Sequence, residues 1–436
     1  MARVLLVNPP FYRILGSHYN GMSLGLSYIA SSLIAEGHDA WVYNADFDPD
    51  PRYKTLHQIF EDFGHEPLDF SIDNPIIREC LQNILDFRAD WVGYACYTAT
   101  VPVIRSLTTA VWAFSYGVRQ VVGGPHCTLD PAAKQSFPFA DYVVRGEGER
   151  VMSSLVGGTE PDEFTVQGER IADLDSLPFP DRKHFWATPA PDLSYLSTAR
   201  GCPWRCAYCA SPEIWPRVHS RSPDSVLEEV RGVPRPRTAE MQQNGDLVIQ
   251  ETSLYIIDDT FTFSAPRAIQ IMQGLDRPWK CEARADTITR NVAQAMSETG
   301  CVRAKVGVES GSERILKQIG KGETKDDIRR GISLLQEFGV PVTIYLMAGF
   351  PGETDDDLRK TIEFGKELQP DYCSISMVAP YYGTRLYRDF VAAGGEKPSA
   401  PWQCFFHHND SMLLNRNLSR GLIEELWALC DVGNYG

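Results

Sequence analysis

The chain has 436 residues, 43% of them hydrophobic, and a formal net charge of −15; that length carries two domains with full cores. The acidic balance argues against a nucleic-acid partner, since phosphate binding wants clustered Lys and Arg. No apolar run approaches the ~18 residues of a membrane helix and the start, Met1–Val7, is too short an apolar run for a signal peptide, so a cytoplasmic protein without a membrane partner, its cysteines reduced unless they bind metal, is expected.

Residues 3–7 read as a short buried strand that Asn8-Pro9-Pro10 ends. Residues 23–36 have the apolar spacing of a helix, with Gly37 as its stop. A strand at 40–44 follows, then a polar loop or insertion at about 46–75. Helix 76–88 leads to strand 91–96, and helix 102–115 to strand 119–122. The last strand, 142–144, ends at Arg145-Gly146-Glu147-Gly148-Glu149. Five β-α repeats predict a doubly wound, flavodoxin-like parallel sheet, whose ligands bind outside the carboxyl ends of its strands. Those ends carry Asn8, Pro9 and Pro10; Tyr97 and Thr98; Gly123, Gly124, Pro125 and His126; and Gly146, Glu147 and Gly148. Each could be plain turn chemistry; four on one rim point to a ligand that the backbone approaches closely.

Residues 173–182, Asp-Leu-Asp-Ser-Leu-Pro-Phe-Pro-Asp-Arg, are proline-rich and aperiodic, and read as a connector. Beyond them stands Cys202-Pro-Trp-Arg-Cys206-Ala-Tyr-Cys209. Iron–sulfur clusters are normally held by four thiolates. Three at C-x3-C-x2-C leave one iron of a [4Fe–4S] cluster open to another ligand. Structural zinc would want a second knuckle, and none follows; the other eight cysteines read as scattered, with no close pair. Strands expected at 195–198, 254–257, 279–283, 302–308, 342–347 and 373–378 alternate with helices, among them 324–338 on the outside. Their ends carry Asp258 and Asp259, Arg284, Glu309 and Ser310, and Gly349-Phe-Pro351-Gly-Glu353, where parallel barrels place their catalytic groups.

The cysteine spacing, with Tyr208 just before the last thiol, resembles the radical S-adenosylmethionine (SAM) superfamily. With Leu24-Gly25-Leu26-Ser27-Tyr28-Ile29-Ala30 and the four rim segments, the chain resembles the cobalamin-dependent radical SAM enzymes over about residues 1–390. The resemblance implies a B12-binding domain (1–160), a linker (161–190), a partial (β/α)6 radical SAM barrel (191–385) and a short C-terminal extension (386–436). The rim residues named above would then hold cobalamin. The D-x-H-x-x-G motif that supplies a histidine to cobalt elsewhere is absent, so His126 reads as a hydrogen-bonding group. SAM would close the cluster through its own amino and carboxylate groups. Tyr208, Asp259, Arg284, Glu309, Ser310, Gly349 and Pro351 would contact SAM; the alternatives are a structural Arg284–Glu309 ion pair and, for Asp258 and Asp259, a solvated loop pair. The acidic run Glu353–Asp357 reads as a helix cap.

The function implied is C-methylation of an unactivated carbon in a small-molecule or peptide substrate, with an electron donor such as flavodoxin or ferredoxin. Rival outcomes are oxidative cyclisation or ring rearrangement with the same cofactors. A methylthiotransferase would want a second cluster site in the first half, where only Cys80, Cys96 and Cys127 stand. A cobalamin sensor or carrier would not need the three cysteines. His407 and His408 read as part of a loop packing its aromatics on the barrel.

Overall fold

The computed structural model describes residues 1–48, 54, 58–59, 68–188, 191–241, 247–393, 415 and 417–429. These divide into two compact units. One is built on Met1–Asp192 and takes in the stretch that begins at Ala379; the other is built on Leu193–Val378 and includes the C-terminal helix. The segment holding His407 and His408 lies outside the described residues.

The first unit is a parallel sheet in the order β2-β1-β3-β4-β5-β6. Its strands are β1 (Arg3–Asn8), β2 (Asp39–Asn44), β3 (Trp91–Ala95), β4 (Arg119–Gly123), β5 (Tyr142–Arg145) and β6 (Thr165–Gln167). The central strands are buried on both faces, as continuous apolar runs such as Val4-Leu5-Leu6-Val7 require. Helices α2 (Pro75–Phe87) and α3 (Val101–Phe114) cover one face, and α1 (Leu24–Ala35) and α4 (Glu149–Val156) the other. The doubly wound expectation holds, with β6 as an addition: Thr165-Val166-Gln167 is too short to carry a period.

The proline-rich connector is not a free tether. Val42 N–H donates to the His184 carbonyl at 2.9 Å, and Trp186 N–H returns to the Val42 carbonyl at 2.8 Å. The Trp186 indole donates to the Asn83 carbonyl at 3.0 Å. The segment therefore covers the outer edge of β2, which would otherwise expose unpaired backbone groups.

The second unit is a parallel sheet in sequential order, β12-β11-β10-β9-β8-β7. The strands are β7 (Tyr195–Leu196), β8 (Leu254–Ile256), β9 (Trp279–Ala283), β10 (Cys301–Glu309), β11 (Val342–Ala348) and β12 (Tyr372–Met377). The six expected strands are all present, within two residues at each end. Alternate residues, such as Cys281, Ala283, Ala304, Val306, Ile344 and Leu346, are fully buried; their neighbours Glu282, Lys305 and Tyr345 are only partly so. That period of two separates a helix-covered face from an inner face. Helices α5 (Lys325–Glu337) and α6 (Asp355–Leu368) each begin with a capping box, Thr324 with Asp327 and Thr354 with Asp357. Helix α7 (Arg420–Ala428) packs on α6.

The fold corrects one reading of the cysteines. Cys96 and Cys127 are close neighbours, as are Cys281 and Cys301. All four are buried. Cys281 and Cys301 meet across adjacent strands, and Cys96 and Cys127 meet where the turns after β3 and β4 come together, which spacing alone does not show.

Candidate active site

The cysteine loop is anchored at its base by an antiparallel pairing of Ala199–Arg200 with His219–Ser220. Gly201 then turns at φ +90°, and a Cβ there would lie 2.7 Å from that of Trp215, so the turn needs glycine. Asp258, at the end of β8, accepts from the backbone N–H groups of Thr198 (2.6 Å) and Ala199 (3.0 Å) and from the Thr198 hydroxyl. Burial pushes its carboxyl up to about 6 against those bonds. The Ser211 hydroxyl donates to Asp259 at 2.6 Å. Both acids thus brace the cysteine loop from either side rather than forming a solvated pair.

The thiols of Cys202, Cys206 and Cys209 are half-buried and lie within electrostatic reach of one another. Cys202 Sγ is 3.6 Å from Thr260 Oγ1, and Arg284 Nη1 is 3.9 Å from Cys206 Sγ. Burial raises the Cys206 thiol, while Lys321 and Arg284 oppose that rise. Among the described residues no three His, Cys, Asp or Glu side chains surround a point suited to a single metal ion. Three thiols on one loop beside two cations are a donor set that fits an anionic iron–sulfur cluster.

Arg284 and Glu309 do not pair directly; they meet through residues that sequence reading missed. Arg284 grips Asp286 with two nitrogens, at 3.1 and 2.9 Å, and reaches the Lys321 carbonyl at 2.9 Å and Glu323 at 3.2 Å. Its guanidinium lies 4.3 Å from the Trp204 ring centre. Lys321 Nζ lies 3.1 Å from Glu309 and 3.3 Å from Glu323. Lys321 and Glu323 are almost fully buried. They sit in Ile319-Gly-Lys-Gly-Glu-Thr324, whose glycines both turn at positive φ; that Gly-Lys-Gly-Glu turn was the available signal. Glu309 is itself at φ +67°, at a register shift in β10. For a residue with a side chain this is strained. The turn folds its carboxylate back over Gly307, where a Cβ would be 2.4 Å from Glu309 Oε1.

Tyr208 is raised well above its usual range by burial first and by the neighbouring Glu309 carboxylate; its ring meets Phe350 at 6.1 Å. Gly349, at φ +96°, and Phe350 donate N–H groups to Glu353, at 2.7 and 3.1 Å. Pro351 offers its carbonyl to Gln318 at 2.8 Å. The structure separates the acidic run: Glu353 holds this turn, and only Asp357 caps α6. Ser310 is buried, with its hydroxyl between Thr361 Oγ1 (3.0 Å) and the Ser312 N–H (3.1 Å); it shapes the turn after β10.

In the first unit, the strand ends β1, β3, β4 and β5 bring the expected rim residues to one edge. Asn8 donates to Asn44 at 2.9 Å. Pro9 and Pro10 follow it, buried. Asp46 holds the next loop through the N–H groups of Phe11 and Arg13. Tyr97 is 54% exposed, an uncommon state for an aromatic between buried neighbours. Gly123 ends β4. Gly124 turns at φ +112°, and a Cβ there would be 3.0 Å from the Cys96 backbone. Gly146 turns at φ +82°, and its Cβ would be 2.6 Å from the Gly168 carbonyl. Gly148 packs under Ile29. Glu147 accepts from the Ile171 N–H and so ties down the segment after β6. These glycines let the strand-end loops pack closely on one another, and the exposed Tyr97 ring beside them offers a flat surface of the kind a corrin would need.

His126, the second residue after Gly124, follows Pro125 into a short helix and is fully buried. Its Nδ1 is 3.3 Å from Thr98 Oγ1, and its Nε2 is 3.8 Å from Asp130. Burial lowers it to about 4, so the ring is neutral at pH 7. Tyr382 packs edge-on against it at 5.9 Å. Tyr381 and Tyr382, in the segment that returns to this unit, were not anticipated; an Ala-Pro-Tyr-Tyr run after a strand carries no signal of its destination.

A doubly wound unit with a glycine-lined rim, followed by an open parallel barrel with a three-thiol loop, defines a radical SAM protein with a second cofactor domain. The family model described as B12 binding domain matches residues 14–156, and that of the Radical SAM superfamily matches 196–365. An uncharacterized methyltransferase of Pyrococcus horikoshii is 30% identical over 423 residues, covering 89% of this chain and 83% of the relative. An anaerobic magnesium-protoporphyrin IX monomethyl ester cyclase of Rubrivivax gelatinosus is 22% identical, with 71% of this chain and 60% of the cyclase covered. The solved methyltransferase TsrM of Kitasatospora setae, with cobalamin and a [4Fe–4S] cluster bound, superposes with a TM-score of 0.64 at 15% identity, over 99% of this chain and 91% of that one. The chain belongs to the cobalamin-binding radical SAM enzymes, a methyltransferase-like family whose cofactors are a [4Fe–4S] cluster, SAM and cobalamin. No helix among the described residues is long and apolar enough to cross a membrane.

Proposed function

We propose that the chain is a C-methyltransferase that acts on an unactivated carbon of a small-molecule or peptide substrate, with reducing equivalents from a flavodoxin or ferredoxin. When bound, the cluster and SAM would supply an adenosyl radical able to take a hydrogen atom from a carbon, and the corrin would supply the methyl group.

In this reading Cys202, Cys206 and Cys209 hold the cluster. Lys321 and Arg284 offset its negative charge from one side. Arg284 Nη1, which among the described residues contacts only Cys206 Sγ, keeps donor capacity for the SAM carboxylate. Glu309, turned inward, accepts from a ribose hydroxyl, and Tyr208 with the Gly349–Pro351 turn flanks the adenine. Asp259 and Ser310 act by holding the loop and the turn in place. Asn8 to Pro10, Tyr97, Thr98, Gly123 to His126 and Gly146 to Gly148 form the corrin rim, where buried, neutral His126 acts by fixing Thr98 rather than by ligating cobalt.

The observation that carries the reading is one chain holding both a three-thiol loop beside buried Lys321 and Arg284 and a glycine-opened rim. The test is anaerobic purification with iron, sulfide and hydroxocobalamin, followed by reduction with methyl-labelled SAM. Cluster and corrin bands at near equal amounts, cleavage of SAM, and label on the carbon skeleton of the product are expected. A product without label favours the cyclase outcome, which the Rubrivivax relative raises; zinc in place of iron sinks both.

A further inference from the structure

The inner face of the second unit carries a layer of polar side chains that the chemistry above does not use. Parallel barrels usually fill this level with branched apolar residues. Here β8 presents Tyr255, β9 Glu282, β10 Lys305 and β11 Tyr345. The hydroxyls of Tyr255 and Tyr345 both donate to Glu282 Oε1, the second at 3.2 Å. Lys305 Nζ donates to the Tyr255 hydroxyl at 2.9 Å and stands 3.8 Å from Glu282. On the same strands, Glu282 precedes Arg284 by two residues, Lys305 precedes Glu309 by four, and Tyr345 precedes Gly349 by four. At ~3.3 Å per residue the layer lies roughly 7–13 Å beneath the ring of SAM-facing groups.

Two features mark this layer as a receptor rather than a closed network. The Lys305 and Glu282 side chains remain 17% and 22% exposed, whereas the alternate residues on the same strands are sealed under helices. Among the described residues, Lys305 makes one hydrogen bond with its three N–H donors, and Glu282 Oε2 has no partner. The ammonium and the carboxylate face each other beyond hydrogen-bond distance, so a ligand can insert its own charges without breaking a bond. An anion is favoured at Lys305, whose ammonium keeps donors to spare, and Glu282 offers an acceptor beside it. An amine alone would leave the Lys305 ammonium unmatched, and a carboxylate alone would leave Glu282 so.

We propose that the Tyr255–Glu282–Lys305–Tyr345 layer anchors the substrate by an amino-carboxylate group, its carboxylate on Lys305 and its ammonium on Glu282, which makes the substrate an amino acid or a close derivative with both groups free. This rests on the methyltransferase reading and deepens it by naming the substrate class. The anchor sets the depth of the substrate, and so which carbon lies at the SAM end.

The test uses the full chain loaded anaerobically with iron and hydroxocobalamin. The probes are the L-α-amino acids, their methyl esters and their N-acetyl amides, with binding read by saturation-transfer NMR and titration calorimetry. At least one free amino acid should bind, its ester about tenfold more weakly or worse, since a charge-assisted hydrogen bond is lost. Lys305→Met should erase the difference between acid and ester, and Lys305→Arg should restore it. The inference is overturned if no amino acid binds, if esters or N-acetyl amides bind as tightly as the acids, or if Lys305→Met leaves the ratio unchanged. Should Lys305→Met fail to load iron, the acid-to-ester ratio of the parent chain decides. A chain that loads both cofactors and cleaves SAM but shows no such preference loses this proposal and keeps the methyltransferase reading.

Discussion

At the scale of single residues, the site depends on buried charges that compensate one another. Lys321 holds Glu309 and Glu323 together, and its replacement by Met leaves two buried carboxylates short of a cation. A loss of about 3–5 kcal/mol is expected, read by urea unfolding of the metal-free chain. Glu353 behaves differently. Burial raises its carboxyl from 4.5 to about 7 despite two backbone N–H donors, with Asp357 adding to the rise and Arg314 opposing it. The folded state therefore holds this proton more tightly than the unfolded chain does. That contribution is complete below about pH 4.5 and is lost as pH rises toward 7. Glu353→Gln should flatten this part of the pH–stability curve by up to about 3 kcal/mol, and equal slopes for the two proteins would refute the assignment. None of this was legible from the residues alone: Glu353 stands in an acidic run whose other members lie in the first turn of α6, and only the fold singles it out.

At the scale of elements, strand ends do the positioning. Two of the rim glycines have a reason that the fold supplies: Gly124 clears the β3 terminus and Gly146 clears the segment after β6. Gly146→Ala puts a side chain into left-handed backbone and against a carbonyl. It should cost about 1–3 kcal/mol and weaken hydroxocobalamin binding, both measurable by thermal melts with and without the corrin. The elements themselves were readable, because strands buried on both faces are short apolar runs and helices α5 and α6 announce themselves with Thr-x-x-Asp. The missed pieces were those without a period: β6, the connector stitched to β2, and the Lys321–Glu323 turn. Each is placed by partners far away in sequence, and local pattern carries no trace of such partners.

At the scale of the whole molecule, each unit has its own sheet and its own core, so each cofactor should bind without the other. A triple Cys202→Ala, Cys206→Ala, Cys209→Ala variant should lose its iron and all SAM cleavage yet keep hydroxocobalamin binding within about twofold, measured by absorbance titration. Loss of corrin binding in that variant would show that the first unit does not form its rim alone. Sequence by itself determined the two runs of alternating strands and helices and the three-thiol loop between strands of the second, because thiol spacing and apolar periodicity are local properties of the chain. Tertiary structure alone decided which charges compensate which: that Arg284 and Glu309 meet through Lys321, that Asp258 and Asp259 brace a loop, that His126 is turned inward, and that Tyr255, Glu282, Lys305 and Tyr345 share one layer. The physical reason is that burial and pairing depend on what neighbouring strands bring alongside, and parallel strands draw their neighbours from far along the chain.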